Sequence, residues 1–195
     1  MGGGWHTDHS YDQDPAMGSI LVAKVLPESG GDTWFVSMYD AFDGLSEGLK
    51  QTLRGLNAVH SAQHVFGAGQ GYDEKDEFAG DRIGNAEVAE SLTDPVHPVV
   101  IRHPLSGKEA LYVNGAFTLN FEGWSREESM PLLSYLFSQC ILEKNIGRFQ
   151  WHPGSIAFWD NRATWHFAQN DYQGMRREMH RITIDGCPLV GSIVA

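Results

Sequence analysis

A chain of 195 residues with 42% hydrophobic and 20% charged positions is long enough for one domain with a substantial core. A formal net charge of −11 argues against nucleic acid, which needs clustered Lys and Arg, and no apolar run reaches membrane-spanning length. Any anionic ligand would therefore need a local cationic pocket. Only Cys140 and Cys187 are present, so neither a disulfide framework nor a thiolate metal site is expected, and a reducing, cytoplasmic setting is the default.

The chain opens Met1-Gly2-Gly3-Gly4 and enters Trp5-His6-Thr7-Asp8 almost at once. In an extended segment, residues two apart share a face, so His6 and Asp8 can reach one ion while Thr7 points away. Met17–Leu26 is apolar and β-rich, residues 27–32 (PESGGD) carry turn chemistry, and Thr33–Met38 is a second strand, so the pair reads as a hairpin. Leu45, Leu49, Leu53 and Leu56 recur at helical spacing and predict a packing helix over 39–58. Residues 67–94 are Gly-rich and acidic, the composition of a lid or flexible loop.

Strands over Val96–His103 and Glu109–Asn114 flank the turn PLSGK and predict a hairpin, followed by a short extended piece over Ala116–Phe121. Ser125 and Glu128 form a capping box for a helix over Ser125–Ile146, with Leu132, Leu133, Leu136, Phe137, Cys140 and Ile141 as its apolar stripe. Phe149–His152, Ser155–Trp159, Ala163–Phe167 and Met179–Ile184 complete the strands. This order predicts a mainly β fold with inserted helices, a sandwich or jelly-roll-like barrel whose mouth gathers residues remote in sequence.

The stretch Trp159–Arg181 holds the matching chemistry. His166 with His6 and Asp8 would make two imidazoles and one carboxylate, the facial triad of non-haem Fe(II) oxygenases. Alternation along the last strand puts Arg177, Met179, Arg181 and Thr183 on one face. Two arginines there suit two anionic groups of ligands, or pair with surface Asp and Glu; spacing alone leaves both open.

WHTD near the start, GGDT at 30–33, WDNRATWH at 159–166 and RREMHR at 176–181 together resemble the taurine/2,4-dichlorophenoxyacetate dioxygenase family. The resemblance runs from about Trp5 to Pro188. It implies a double-stranded β-helix (a jelly-roll, cupin-like barrel) and dependence on Fe(II), on 2-oxoglutarate as cosubstrate, and on O2. Carried over residue by residue, it implies that His6, Asp8 and His166 hold iron and that Thr33 and Arg177 hold the distal carboxylate of 2-oxoglutarate. It also implies that Arg181, Phe117 and Phe66 meet a small anionic organic substrate, a sulfonate, aryloxyalkanoate or sulfate ester. His9 is expected to face the substrate because it directly follows the iron motif, although the taurine enzyme would have a small apolar residue there. The products would be succinate, CO2 and a hydroxylated substrate. The same resemblance implies a homo-oligomer and a family N-terminal portion that this chain lacks.

Two other readings use the same residues. One is a catalytically impaired metal- and carboxylate-binding barrel, a fragment or a sensor. The other is a Zn(II) hydrolase built on the same triad, against which the paired arginines and Thr33 speak.

Overall fold

Period-two alternation fixes which side of each strand turns inward, and two antiparallel sheets follow it closely. In the computed structural model, which describes residues 4–66 and 93–192, the first sheet has β1 (Gly18–Val25) at its centre. On one side β1 pairs with β11 (Glu178–Ile184) and on the other with β9 (Ile156–Asp160). The second sheet places β2 (Thr33–Ser37) between β10 (Thr164–Ala168) and β8 (Ile146–Phe149). A third joins β3 (Asn57–His60) to β4 (Val96–Pro98) and β7 (Thr118–Phe121), while β5 (Val100–Arg102) and β6 (Glu109–Leu111) form a hairpin.

The helices among the described residues are α1 (Met38–Asp43), α2 (Glu47–Arg54), α3 (Gln63–Phe66) and α4 (Arg126–Cys140). None is long and apolar enough to cross a membrane. The architecture is thus mainly β with few helices.

In the first sheet, Ser19 and Ala23 of β1 and Ala157 and Trp159 of β9 are buried, whereas Ile156, Phe158 and Ile182 on the opposite side are 63%, 60% and 48% exposed. In the second sheet, Val36 and Trp165 turn toward a core of Met38, Phe42, Leu53, Leu133 and Leu136. The alternate residues Thr33, Phe35, His166 and Ala168 then share the other face by register, Thr33 opposite Ala168 and Phe35 opposite His166. Phe35 and Phe149 from the second sheet pack with Leu21, Ala23, Ala157, Trp159 and Met179 from the first. The inner faces of the two sheets therefore meet.

Several expected elements are redrawn. Gly18–Val25 and Thr33–Ser37 do not form a hairpin; they enter different sheets, because each finds partners from the far end of the chain. The helix expected over 39–58 is two helices and a strand. Gly44 ends α1, its N–H reaching the carbonyl of Asp40 at 3.0 Å, and Ser46 stands at the start of α2. The leucine spacing still reports packing, with Leu53 and Leu45 buried and Leu49 and Leu56 against the core.

The strand expected over Val96–His103 divides at Val99, so that β4 and β5 serve different sheets. α4 begins with the expected capping box but ends at Cys140, leaving Ile141 exposed and Cys140 buried. Of the expected lid or flexible loop over 67–94, residues 67–92 lie outside the described residues.

Arg54 of α2 and Glu109 of β6 form a two-pronged ion pair, Nε to Oε1 and Nη2 to Oε2, both at 2.7 Å. The Arg54 hydrogen bonds lower the Glu109 carboxyl from the ordinary 4.5 to about 2, against a smaller opposing effect of burial. A folded pKa below the unfolded one stabilises the fold above pH 4.5, and that stabilisation disappears as pH falls toward 2. Glu109→Gln is therefore expected to unfold at a lower temperature than the parent at pH 7. The gap should close between pH 4.5 and 2 in parallel thermal melts; a gap independent of pH would refute this role.

Candidate metal centre

His6 lies outside any long strand, yet its main chain is fixed by an antiparallel bridge to β10. His6 N–H donates to the carbonyl of His166 at 3.2 Å, and His166 N–H returns the bond at 2.8 Å. Thr7 turns away as the spacing requires: it is buried, and its hydroxyl donates to the carbonyl of Asn161 at 2.5 Å. His6 and Asp8 are thereby left facing His166.

The ring chemistry agrees with that placement. His6 Nδ1 lies 2.9 Å from the carbonyl of Gly4, which can only accept, so this nitrogen carries the proton and Nε2 offers a lone pair. His6 Nε2 is 3.6 Å from Asp8 Oδ1, and His166 Nε2 is 3.7 Å from Asp8 Oδ2. The candidate ligand atoms of the three residues all fall within 4.8 Å of one another. Burial lowers His166 to about 3, outweighing the pull of Asp8, so the imidazole is neutral at neutral pH. Burial would raise Asp8, but His166, His6 and Arg181 together hold its carboxyl well below the usual range. Two imidazoles and one carboxylate gathered this closely fit a divalent first-row metal.

A cavity of about 150 Å³ opens beside these groups, lined by His6, Asp8, His166, Thr33, Arg177 and Arg181 together with Leu21, Trp159 and Ala168. The alternation in both sheets is what turns Leu21, Thr33, Trp159, His166, Ala168 and Arg181 toward it. A larger hollow of about 230 Å³, lined by Ile101, Pro104, Arg162 and Val190 among others, includes none of His6, Asp8, His166, Thr33 and Arg177.

Arg177 reaches the cavity from the segment just before β11. Its Nε donates to the carbonyl of Gly31 at 3.2 Å, while its Nη2 is buried without a hydrogen-bond partner. Burial lowers its pKa, partly offset by Tyr172, yet a guanidinium stays charged at neutral pH. A buried, unpartnered N–H of a cation calls for an anion.

The glycines of GGDT find their reason here. Gly31 has φ of +75°, and a Cβ on it would stand 3.1 Å from Arg177 Cδ and Nε; a Cβ on Gly30 would stand 2.6 Å from Asp171 Oδ1. Asp171 Oδ1 in turn accepts from Gly31 N–H at 2.7 Å.

Arg181 lines the cavity, but its Nη2 contacts Asp8 Oδ2 at 2.7 Å and Ser19 Oγ at 3.3 Å. Its guanidinium is the direct neighbour of the carboxylate. Phe117 is buried edge-on against His6, with ring centroids 6.4 Å apart, and is not among the residues lining the cavity. His9 takes a left-handed backbone (φ 59°), and its Nδ1 pairs with Asp12 Oδ2 at 2.8 Å, away from the lining. Phe66 closes α3, and its side chain falls outside the described residues. Asp160 organises the turn before β10, accepting from Arg162 Nη2 at 2.6 Å and from His103 Nε2 at 2.9 Å.

Sequence reasoning passed over Ser19, which donates to Asp8 Oδ2 at 3.1 Å, and Leu21 and Asp171. Trp159, which belongs to the WDNRATWH motif, places its ring 4.9 Å from His166. A period-two reading of β1 and β9 would have found Ser19, Leu21 and Trp159; nothing in the sequence singles out Asp171.

Among curated proteins, the chain is 37% identical over 183 residues to an alkylsulfatase of Acinetobacter baylyi, a match covering 93% of this chain and 56% of that protein. It is 33% identical to an alpha-ketoglutarate-dependent sulfate ester dioxygenase of Pseudomonas putida, covering 96% and 61%. It is 36% identical to an alpha-ketoglutarate-dependent 2,4-dichlorophenoxyacetate dioxygenase of a Burkholderia strain, covering 93% and 58%. The chain thus spans little more than half the length of these relatives.

In solved structures, it resembles a taurine dioxygenase from Burkholderia xenovorans with a TM-score of 0.79 and 32% identity, over 96% of this chain and 59% of that one. It also resembles AAD-2 in complex with Mn(II) and N-oxalylglycine, with a TM-score of 0.80 and 26% identity, over 95% and 69%. The family model described as taurine catabolism dioxygenase TauD, TfdA family matches residues 1–183, and to that family the chain belongs.

Proposed function

We propose that this chain is the catalytic barrel of an Fe(II)- and 2-oxoglutarate-dependent dioxygenase that hydroxylates a small anionic organic substrate, a sulfonate, sulfate ester or aryloxyalkanoate. The observation that carries the reading is the meeting, in one cavity, of the His6–Asp8–His166 cluster with Thr33 and the unpartnered Nη2 of Arg177. A metal triad alone would serve a hydrolase equally well. The buried guanidinium adds a place for a ligand that carries its own carboxylate. The chain crosses repeatedly between the sheet of β1, β9 and β11 and the facing sheet of β2, β8 and β10, which supports a double-stranded β-helix, the jelly-roll or cupin-like barrel.

On this reading, 2-oxoglutarate, O2 and a substrate C–H give succinate, CO2 and the corresponding alcohol. His6, Asp8 and His166 hold Fe(II), which supplies the redox chemistry when bound with 2-oxoglutarate and O2. Thr33 and Arg177 hold the distal carboxylate and so set the depth at which the keto acid lies. Leu21, Trp159 and Ala168 restrict water beside the reacting centre. Arg181 orients Asp8 through Nη2 and directs its remaining N–H groups toward the substrate's anionic group.

Anaerobic addition of Fe(II) and 2-oxoglutarate is expected to give a visible charge-transfer band, and admission of O2 with a competent sulfonate or sulfate ester to release succinate. The band without succinate across a substrate panel would favour the metal- and carboxylate-binding sensor. A folded protein that gives no band would refute the assembled site.

A further inference from the structure

Trp151 lies between β8 and β9 and is buried against Phe149, Ala157 and Trp159. Its indole Nε1–H donates to Thr33 Oγ1 at 3.0 Å, and both residues are buried. An indole nitrogen only donates, so the Thr33 oxygen must accept here and its own hydrogen must point elsewhere. Among the described residues no acceptor takes that hydrogen, and Thr33 lines the cavity beside Arg177. The Trp151 ring also faces the Arg177 guanidinium, whose central carbon lies 6.0 Å from the ring centroid. One side chain thus touches both members of the pair assigned to the carboxylate.

We infer that Trp151 is a positioning residue for a dicarboxylate cosubstrate: its N–H fixes the Thr33 hydroxyl as a donor into the cavity, and its ring seats the guanidinium beside it. The inference rests on the reading that Thr33 and Arg177 bind the distal carboxylate of 2-oxoglutarate. A threonine hydroxyl without a fixed donor turns either a lone pair or a hydrogen to its ligand. With Trp151 in place, one lone pair is taken and the hydrogen must point away from the indole, which favours turning it toward the cavity, where a carboxylate only accepts. Preorganisation of this kind sharpens selection for a distal anion rather than overall affinity for keto acids.

The test is calorimetric titration of the whole chain loaded with Zn(II), an inert and diamagnetic stand-in. Trp151→Phe is expected to weaken 2-oxoglutarate roughly 3- to 10-fold, the range of one net hydrogen bond. It should leave 2-oxobutyrate, which lacks the distal carboxylate, within about twofold. Thr33→Val should weaken 2-oxoglutarate as well, and adding Trp151→Phe to it should cost nothing further. Unchanged 2-oxoglutarate affinity, equal losses for both keto acids, or a full additional loss in the Thr33→Val background would each overturn the role of Trp151.

The parent protein offers a reading that needs no Trp151 variant. The indole N–H resonance displaced by Thr33→Val should move on adding 2-oxoglutarate and stay in place with 2-oxobutyrate; an unmoved resonance overturns the proposal. If Thr33→Val and Arg177→Ala both leave 2-oxoglutarate affinity intact, the carboxylate reading itself fails, and the Trp151 inference falls with it.

Discussion

His166→Ala is expected to give a folded protein that no longer retains a divalent metal, with affinity reduced by more than about 100-fold and succinate formation abolished. Residues that merely support metal ligands are worth 10- to 100-fold, so loss of a ligand should exceed that range. The fold should survive, because what ties residue 166 to residue 6 is main chain and remains in the variant. The His166 Nδ1 is buried without a partner, so its removal orphans no other group. Asp8 keeps Arg181 at 2.7 Å and Ser19 at 3.1 Å, and is not stranded as a buried lone charge. Anaerobic titration with Mn(II) beside a thermal melt decides the matter. A melting temperature near the parent's with metal affinity lost is the expected pair; parental metal affinity would sink the triad.

Arg177→Ala should act on the other ligand and spare the metal. Truncating one partner of a buried, hydrogen-bonded charge pair costs about 2–5 kcal/mol, roughly 30-fold to several thousandfold in affinity. The expected outcome is therefore a large rise in the KM for 2-oxoglutarate with Mn(II) affinity unchanged. Arg177→Lys should recover only part of the loss. An ammonium supplies charge but cannot hold the carbonyl of Gly31 through Nε while presenting Nη2 to the cavity. Equal loss of metal and keto acid in Arg177→Ala would instead indicate a structural collapse around Gly30 and Gly31. Read together, the two variants separate the metal from the cosubstrate.

What was legible in the sequence follows from the range of each interaction. The spacing of His6 and Asp8, the alternation along β11 and the capping box of Ser125 and Glu128 are local, and each has its counterpart in the structure. The partner of β1 is not local: Leu21 lies opposite Arg181 and Ala157, and turn chemistry at residues 27–32 gives no hint of that choice. The break between α1 and α2 was written in Gly44 and Ser46 but hidden by the leucines that continue across it. The bond from Trp151 to Thr33 spans 118 positions, and the grip of Arg181 on Asp8 joins the two ends of the chain. Pairings of that kind belong to the folded geometry, and no motif announces them.

The bridge between His6 and His166 also bears on the expected order of events during folding. Contacts that close the whole chain lose loop entropy before they gain anything, and topologies rich in them fold over milliseconds to seconds. The hydroxyl of Thr7 reaches across 154 positions to Asn161, so the first residues are expected to dock late, once β10 has formed on β2. On that expectation the proposed metal ligands would come together in one of the last steps, and an ion held there would act as a clasp on a nearly finished protein. An ion that binds only the closed form would, through its free concentration, adjust how often residues 4–10 come loose. Chelation should then expose the opening segment to a protease well before the sheets themselves give way.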